Sequence, residues 1–146
     1  MSQSDPIDDV IEPGLTAEDV VARVDDWLRR VDDLYEQIKA WATAAGWMVE
    51  NGATIPMHEE LMRQFGVPAR DQPTLVLRDP QGAEIWVRPK GLWVIGANGR
   101  IDIFSRKGAF VLVDVADKFA PPSWVLHRVG KGEGQAFSPE LLAAMA

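Results

Sequence analysis

The longest periodic stretch of the chain is AEDVVARVDDWLRRVDDLYEQIKAWATAA, residues 17–45. Its apolar side chains step by four and three residues without interruption, at Val20, Val24, Trp27, Val31, Leu34, Ile38, Trp41 and Ala45. This period of 3.5 is typical of a helix that lies along one continuous surface. A second apolar row runs beside the first, at Val21, Leu28, Tyr35 and Ala42. Three apolar positions per heptad exceed what a two-stranded zipper needs and favour a helix packed on a sheet.

Capping residues set the expected limits of the helices. The long helix is predicted over residues 16–46, because Thr16 can cap its amino end and Gly46 can end it in a left-handed conformation. A short second helix is predicted over residues 57–66, where Gly66 would end it. Ser138 and Pro139 begin a third predicted helix, over residues 138–146.

Residues 73–130 alternate between short apolar runs and turn residues, which predicts a sheet. We place its strands at 74–78, 83–88, 92–97, 100–104, 109–115 and 124–129. The dipeptide Asn98-Gly99 is a strong hairpin signal, and we interpret it as the turn between the third and fourth strands. The apolar face of such a sheet must be buried against another element, and the long helix is the candidate. The sequence therefore predicts an α+β fold, with a long N-terminal helix packed on a curled antiparallel meander of about six strands and two short helices.

Composition bounds the organisation of the chain. Its 146 residues, 47% hydrophobic, suffice for a single α+β domain, which we place at residues 16–146 after a flexible acidic arm at residues 1–15. The absence of cysteine excludes disulfides, thiolate metal sites and thiol nucleophiles. The chain lacks a signal-like start and a long apolar run, so we expect a cytoplasmic protein without a membrane span.

Negative charge is concentrated near the amino end. Residues 1–36 hold 11 acidic and three basic residues, whereas residues 37–146 hold 11 acidic and 12 basic ones. On the helix the acids fall seven apart, and the candidates for docking a basic partner are Asp25, Asp26, Asp32 and Asp33. A solvated helix face is the alternative interpretation.

Positive charge is predicted to collect at one end of the sheet. In a meander, successive turns alternate between the two ends, so distant residues meet there: Arg88, Lys90, Arg106, Lys107, Arg128 and Lys131. Such a rim would attract an anionic ligand or an acidic protein. Ordinary surface charge at turns is the alternative. Trp86 is a further candidate, because an exposed tryptophan among charges is a usual anchor in protein interfaces.

Catalytic signatures are weak. The pair His58-Glu59 begins a zinc-binding HExxH pattern, but Met62 stands where its second histidine belongs, so we predict no metal and no cofactor. We assign no catalytic residue. Asp102 and His127, two polar residues within apolar strands, are the least implausible acid or base pair.

These observations favour a non-enzymatic interaction protein, such as an inhibitor, an immunity or antitoxin-like factor, or an adaptor. It would bind a protein partner through the acidic helix edge, the basic rim or exposed aromatic side chains. The alternative is a ligand-binding module with an apolar pocket or an anion site in the curled sheet. A small hydrolase or isomerase is a third hypothesis. Nucleic acid is disfavoured as a partner, and a homodimer through helix 16–46 stays open.

Overall fold

The computed structural model describes residues 14–130 and 132–146. Of the predicted acidic arm only Gly14 and Leu15 are described, and Lys131 also lies outside the described residues. The elements, in chain order, are α1 (Ala17–Ala44), β1 (Met48–Asn51), β2 (Ile55–Met57), α2 (Glu60–Gln64), β3 (Arg70–Gln72), β4 (Leu75–Arg78), β5 (Glu84–Val94), β6 (Ala97–Ser105), β7 (Gly108–Asp114), β8 (Trp124–Arg128), β9 (Gln135–Ala136) and α3 (Pro139–Ala144).

Seven of these strands form one antiparallel sheet in the order β1-β4-β5-β6-β7-β8-β9. The two remaining strands, β2 and β3, pair with each other. The predicted α+β architecture of a long N-terminal helix on a curled antiparallel sheet is therefore confirmed. The sequence interpretation missed the short strands β2, β3 and β9, which have too few residues to show an alternating pattern.

The long helix begins and ends on the predicted signals. The Thr16 side chain accepts a hydrogen bond from the Asp19 N–H, and the Asp19 carboxylate accepts one from the Thr16 N–H. At the other end Gly46 has a φ of +78°, and the Trp47 N–H bonds the carbonyl of Ala42. The second helix is shorter than predicted, because Ile55–Met57 pairs with Arg70–Gln72 as a strand instead.

The buried face of α1 follows the predicted apolar rows and shifts between them along the helix. Near its amino end the first row is buried, at Val20, Val24, Trp27 and Val31; near its carboxyl end Tyr35 and Ala42 of the second row join Ile38. A helix with 3.6 residues per turn drifts by about 20° per heptad against a 3.5 repeat, which explains the shift.

One predicted turn was wrong. Residues 83–97 were interpreted as two strands joined at Pro89-Lys90-Gly91, but Glu84–Val94 is the continuous strand β5. The register against β6 shifts between Pro89 and Gly91, so Lys90 is the extra residue of a β-bulge. A bulge accommodates a proline without breaking the strand, because the ladder is already interrupted there.

The Asn98-Gly99 hairpin was also wrong. The turn lies at Ile95-Gly96, where Gly96 has a φ of +82°, while Asn98 and Gly99 are the second and third residues of β6. Gly99 has a φ of +104°, and a Cβ added there would stand 2.0 Å from Cζ3 of Trp27. The glycine is thus needed to seat the Trp27 ring on the backbone of the sheet.

Replacing each of the two glycines by alanine separates this contact from backbone strain. Gly96→Ala meets no atom within 4 Å and should lose about 1–2 kcal/mol of unfolding free energy through its positive φ. Gly99→Ala adds a clash with Trp27 and should lose more than about 3 kcal/mol. Urea unfolding followed by circular dichroism measures both. Equal losses would show that Trp27 does not pack against Gly99.

Candidate functional site

The face of the sheet turned away from α1, called here the outer face, exposes two aromatic side chains. Trp86 and Phe104 are directly opposite each other in the β5–β6 pairing and are 47% and 43% exposed. Their strand neighbours Ile85, Val87 and Ile103 are fully buried. Because successive side chains in a strand point to opposite faces, both aromatic rings lie on the face that α1 does not cover.

Valines extend this apolar surface across the next strands. In the register, Asp102 of β6 is opposite Val111 of β7, while Val113 of β7 is opposite Val125 of β8. All three valines are only partly buried. The outer face therefore presents the aromatic pair on β5 and β6 and, offset along the strands, a group of valines on β7 and β8.

Arg88 and Lys90 lie beside the aromatic pair instead of at the predicted rim. Both are exposed residues of β5, and with Ile55, Asp102 and Phe104 they line a shallow depression on the outer face. Their predicted place at the end of the sheet was wrong, because both residues lie in the middle of the continuous strand β5. Neither side chain makes an ion pair or hydrogen bond with any residue in the described ranges.

The other predicted rim cations sit at the far end of the sheet. Arg106 and Lys107 are in the β6–β7 turn, and Arg128 ends β8. The Lys107 ammonium donates to the carbonyl of Ala144 at 3.1 Å, and Arg128 donates to the carbonyl of Lys107 at 2.5 Å. Lys107 and Arg128 therefore make hydrogen bonds within the protein. The position of Lys131 falls in the undescribed gap.

The four acids of the predicted helix edge differ in exposure and in pairing. Asp32 and Asp33 are exposed, and Asp25 pairs with Arg70 at 2.7 Å. Asp26 is only 5% exposed, so its assignment to an exposed docking edge was wrong. It was misassigned because helical spacing places it next to Asp25, whereas the loop after β7 covers it.

Asp26 belongs to a buried charge network centred on Arg30. The Arg30 guanidinium, 3% exposed, donates to Asp26 at 2.6 Å and to Asp114 at 2.5 Å. It also donates to the carbonyls of Asp117 and Ala120. This network, which the sequence interpretation missed, ties α1 to the loop at residues 115–123.

Asp114 completes the attachment of that loop. Its side chain is fully buried, and its second oxygen accepts hydrogen bonds from the N–H groups of Ala116 at 3.0 Å and Ser123 at 2.9 Å. Both ends of the loop are thus held by one carboxylate, and its middle is held by Arg30. These contacts fix the position of the loop relative to α1 and β7.

Neighbouring arginines allow a matched test of the network. Arg30→Met leaves the buried Asp114 without a cation and Asp26 with only the exposed Arg29, and should lose about 3–5 kcal/mol of unfolding free energy. Arg29 bonds the same Asp26 carboxylate at 3.2 Å but its side chain is 65% exposed, so Arg29→Met should lose less than about 1 kcal/mol. Chemical unfolding of both variants is the measurement. Comparable losses would contradict a central role for Arg30.

The network also predicts how stability depends on pH. Burial alone would raise the pKa of Asp26, but the hydrogen bonds and charge of Arg30 outweigh it and hold that pKa below its usual value. The folded protein then binds the Asp26 proton less readily than the unfolded chain does. Asp26 therefore contributes stability above its unfolded pKa of about 4, and this contribution is lost as the pH falls through the lower folded pKa.

Asp26→Asn should consequently be less stable than the natural protein at neutral pH, with a difference that shrinks below about pH 4. Unfolding free energies measured across an acidic pH series give this difference. A difference that stays constant down to the most acidic point would show that Asp26 does not titrate against Arg30.

The suggested acid and base pair is not assembled. Asp102 and His127 share the outer face, but Val111 stands between them in the register. Asp102 accepts from Arg100 at 2.8 Å, and the His127 Nδ1 lies 3.2 Å from the carbonyl of Gly132. Within the described ranges, no three or more His, Asp or Glu side chains are grouped to hold a metal ion.

Comparisons of the chain with models of protein families, with curated proteins and with solved structures found no match. Function is therefore inferred from the geometry of this chain. In the part of the chain that the structure describes, no helix combines the length and apolar character that crossing a membrane requires.

Proposed function

We propose that this chain is a non-enzymatic interaction protein whose outer face binds an acidic segment of a partner protein. The observation that carries the proposal is the exposed pair Trp86 and Phe104, joined across β5 and β6 and flanked by Arg88 and Lys90. An inhibitor, an immunity or antitoxin-like factor and an adaptor are all proteins of this class.

The aromatic pair supports binding of a protein because it is both large and apolar. Tryptophan and other aromatic residues are enriched in the centres of protein interfaces, where a few of them supply most of the binding free energy. On the same face, Val111 of β7 is the diagonal neighbour of Phe104, and the partly exposed Val113 and Val125 lie further along β7 and β8. Exposed apolar side chains grouped on one face mark an interaction site more often than isolated exposed residues do.

Charge on the outer face favours an acidic partner. Arg88 and Lys90 are unpaired among the described residues, whereas Arg100 is neutralised by Asp102, and Arg78 lies between Glu84 and Glu50. The unbalanced charge beside the aromatic pair is therefore positive. Complementary charge mainly accelerates association and selects the partner, while the aromatic contacts supply affinity.

Catalysis by Asp102 or His127 is left out of the proposal, because each side chain is engaged in a separate contact. The acidic helix edge is also a weaker candidate surface than the outer face. Of its four predicted members, only Asp32 and Asp33 are exposed without a described ion-pair partner.

Affinity capture from native cell extract, quantified by mass spectrometry, tests the proposal with three variants. Trp86→Ala removes the aromatic anchor. Arg88→Glu with Lys90→Glu reverses the local charge, and Arg106→Glu with Lys107→Glu makes the same change in net charge at the far end of the sheet. We expect an acidic protein that the natural chain and the Arg106/Lys107 variant capture and the other two lose.

With that partner purified, Trp86→Ala should weaken binding by about 2 kcal/mol or more, close to thirtyfold in Kd. The Arg88/Lys90 variant should mainly slow association and reduce its dependence on salt. Capture that is unchanged by Trp86→Ala and by the Arg88/Lys90 variant would refute the outer face as the binding surface.

A further inference from the structure

Residues 1–13, which precede the described part of the chain, combine negative charge with apolar side chains. Their charged residues are all acids: Asp5, Asp8, Asp9 and Glu12. Three apolar residues are interspersed with these acids: Ile7, Val10 and Ile11. The segment therefore has the chemistry for which the outer face is suited, namely carboxylates next to apolar side chains.

The structure fixes where this segment joins the fold. The capping pair at the start of α1 is followed by Val20, the fourth residue of the helix, and is preceded by Leu15. Side chains at these two positions determine the direction in which a chain enters a helix. Both line the same groove as Trp93 of β5. Residues 1–13 therefore join the described fold close to Trp93, at the end of the sheet where β5 turns into β6.

The surface around this junction is unsuited to an acidic segment. Asp19 and Asp117 line the grooves beside it, and Glu59 interacts electrostatically with Arg23. The cations that line the same grooves are Arg23 and Lys118. Three carboxylates thus stand against two cations, so this surface has no excess of positive charge to attract further acids.

The outer face has such an excess, and it is within reach. Lys90 precedes Trp93 by three residues of β5, which is about 10 Å along an extended strand. Passing from the helix side of the sheet to the outer face adds about 10 Å. Asp8 and Asp9 lie six and five residues before the described part of the chain, and an extended segment of that length spans about 20 Å. The two acids therefore reach the part of the outer face around Lys90.

The receiving surface provides both features that the segment requires. The shallow depression on the outer face is lined by Ile55, Arg88, Pro89, Lys90, Asp102 and Phe104. Asp102 is paired with Arg100 at 2.8 Å, whereas Arg88 and Lys90 have no ion-pair partner in the described ranges. The depression thus offers two uncompensated positive charges beside an aromatic ring.

The cations at the far end of the sheet are less suitable. Arg106 and Lys107 follow β6, whose nine residues span about 30 Å. Asp8 and Asp9 do not reach across that distance from the junction. Lys107 also donates a hydrogen bond to the carbonyl of Ala144. Arg88 and Lys90 are therefore the better match for the acidic segment.

We propose that residues 5–12 bind the outer face of their own chain and compete there with the partner protein. The carboxylates of Asp8 and Asp9 pair with Arg88 and Lys90, and apolar side chains of the segment cover the aromatic pair. A short tether gives the segment a local concentration on the order of millimolar, so weak contacts suffice to populate this state. The competition rests on the proposed function, whereas the contact within the chain does not.

A nitroxide label at position 4 tests the contact in the full chain without a partner. The chain has no cysteine, so Ser4→Cys provides a single labelling site. We expect the label to broaden the backbone amide NMR signals of Arg88 and Phe104 more than that of Trp93, although Trp93 is nearer to the junction. High salt should remove this preference, because it screens the charges that hold the segment in place.

Two pairs of substitutions separate a specific contact from a change in net charge. Asp8→Asn with Asp9→Asn should abolish the preferential broadening in the labelled protein. Asp32→Asn with Asp33→Asn makes the same change in net charge at an exposed pair on α1 and should leave the broadening as it is. Broadening that is strongest at Trp93, or that survives in the Asp8/Asp9 variant, would overturn the contact.

Binding of the captured partner then tests the competition. The Asp8/Asp9 variant should bind it severalfold more tightly than the natural chain, and the Asp32/Asp33 variant should bind it as the natural chain does. Equal affinities of all three proteins would overturn the competition. Preferential broadening in a chain whose partner ignores the outer face would support the contact and refute only the proposed partner surface.

Discussion

The packing of the Trp27 ring on the backbone of Gly99 determines how α1 lies on the sheet. The indole N–H is fixed by Gln72 at 2.9 Å, and the ring lies 6.2 Å from that of Trp124. Arg23 and Arg30 stand four residues before and three residues after Trp27, on the same side of the helix. With the tryptophan seated, Arg23 reaches Asn98 and Arg30 reaches Asp114. One helical face thus contacts both Asn98 of β6 and the loop at residues 115–123.

This seating also determines which surface stays open. Because α1 occupies one face of the sheet, the strand alternation that buries Ile85 and Val87 exposes Trp86 on the other. The outer face thus depends on the alternation of side chains along β5 and β6.

Periodicity in the sequence was sufficient for α1, its caps and the general α+β class, because those signals are local and repeated. The prediction from periodicity failed where a residue type is required by a contact with a part of the chain that is distant in sequence. Asn98-Gly99 has the composition of a turn, yet its glycine serves Trp27, which lies 72 positions earlier in the chain. The Pro89–Gly91 bulge likewise depends on pairing with β6. Trp86 was singled out because its strand pattern was visible locally.

The most direct test of this account is the NMR signal of the Gly99 α protons in the natural protein. A Trp27 ring packed on this glycine should move at least one of them far upfield through its ring current. It should also give nuclear Overhauser effects between the Gly99 α protons and the protons on Cζ3 and Cε3 of Trp27. Gly99 α protons at ordinary glycine shifts, without contacts to Trp27, would contradict the seating of α1 and everything built on it.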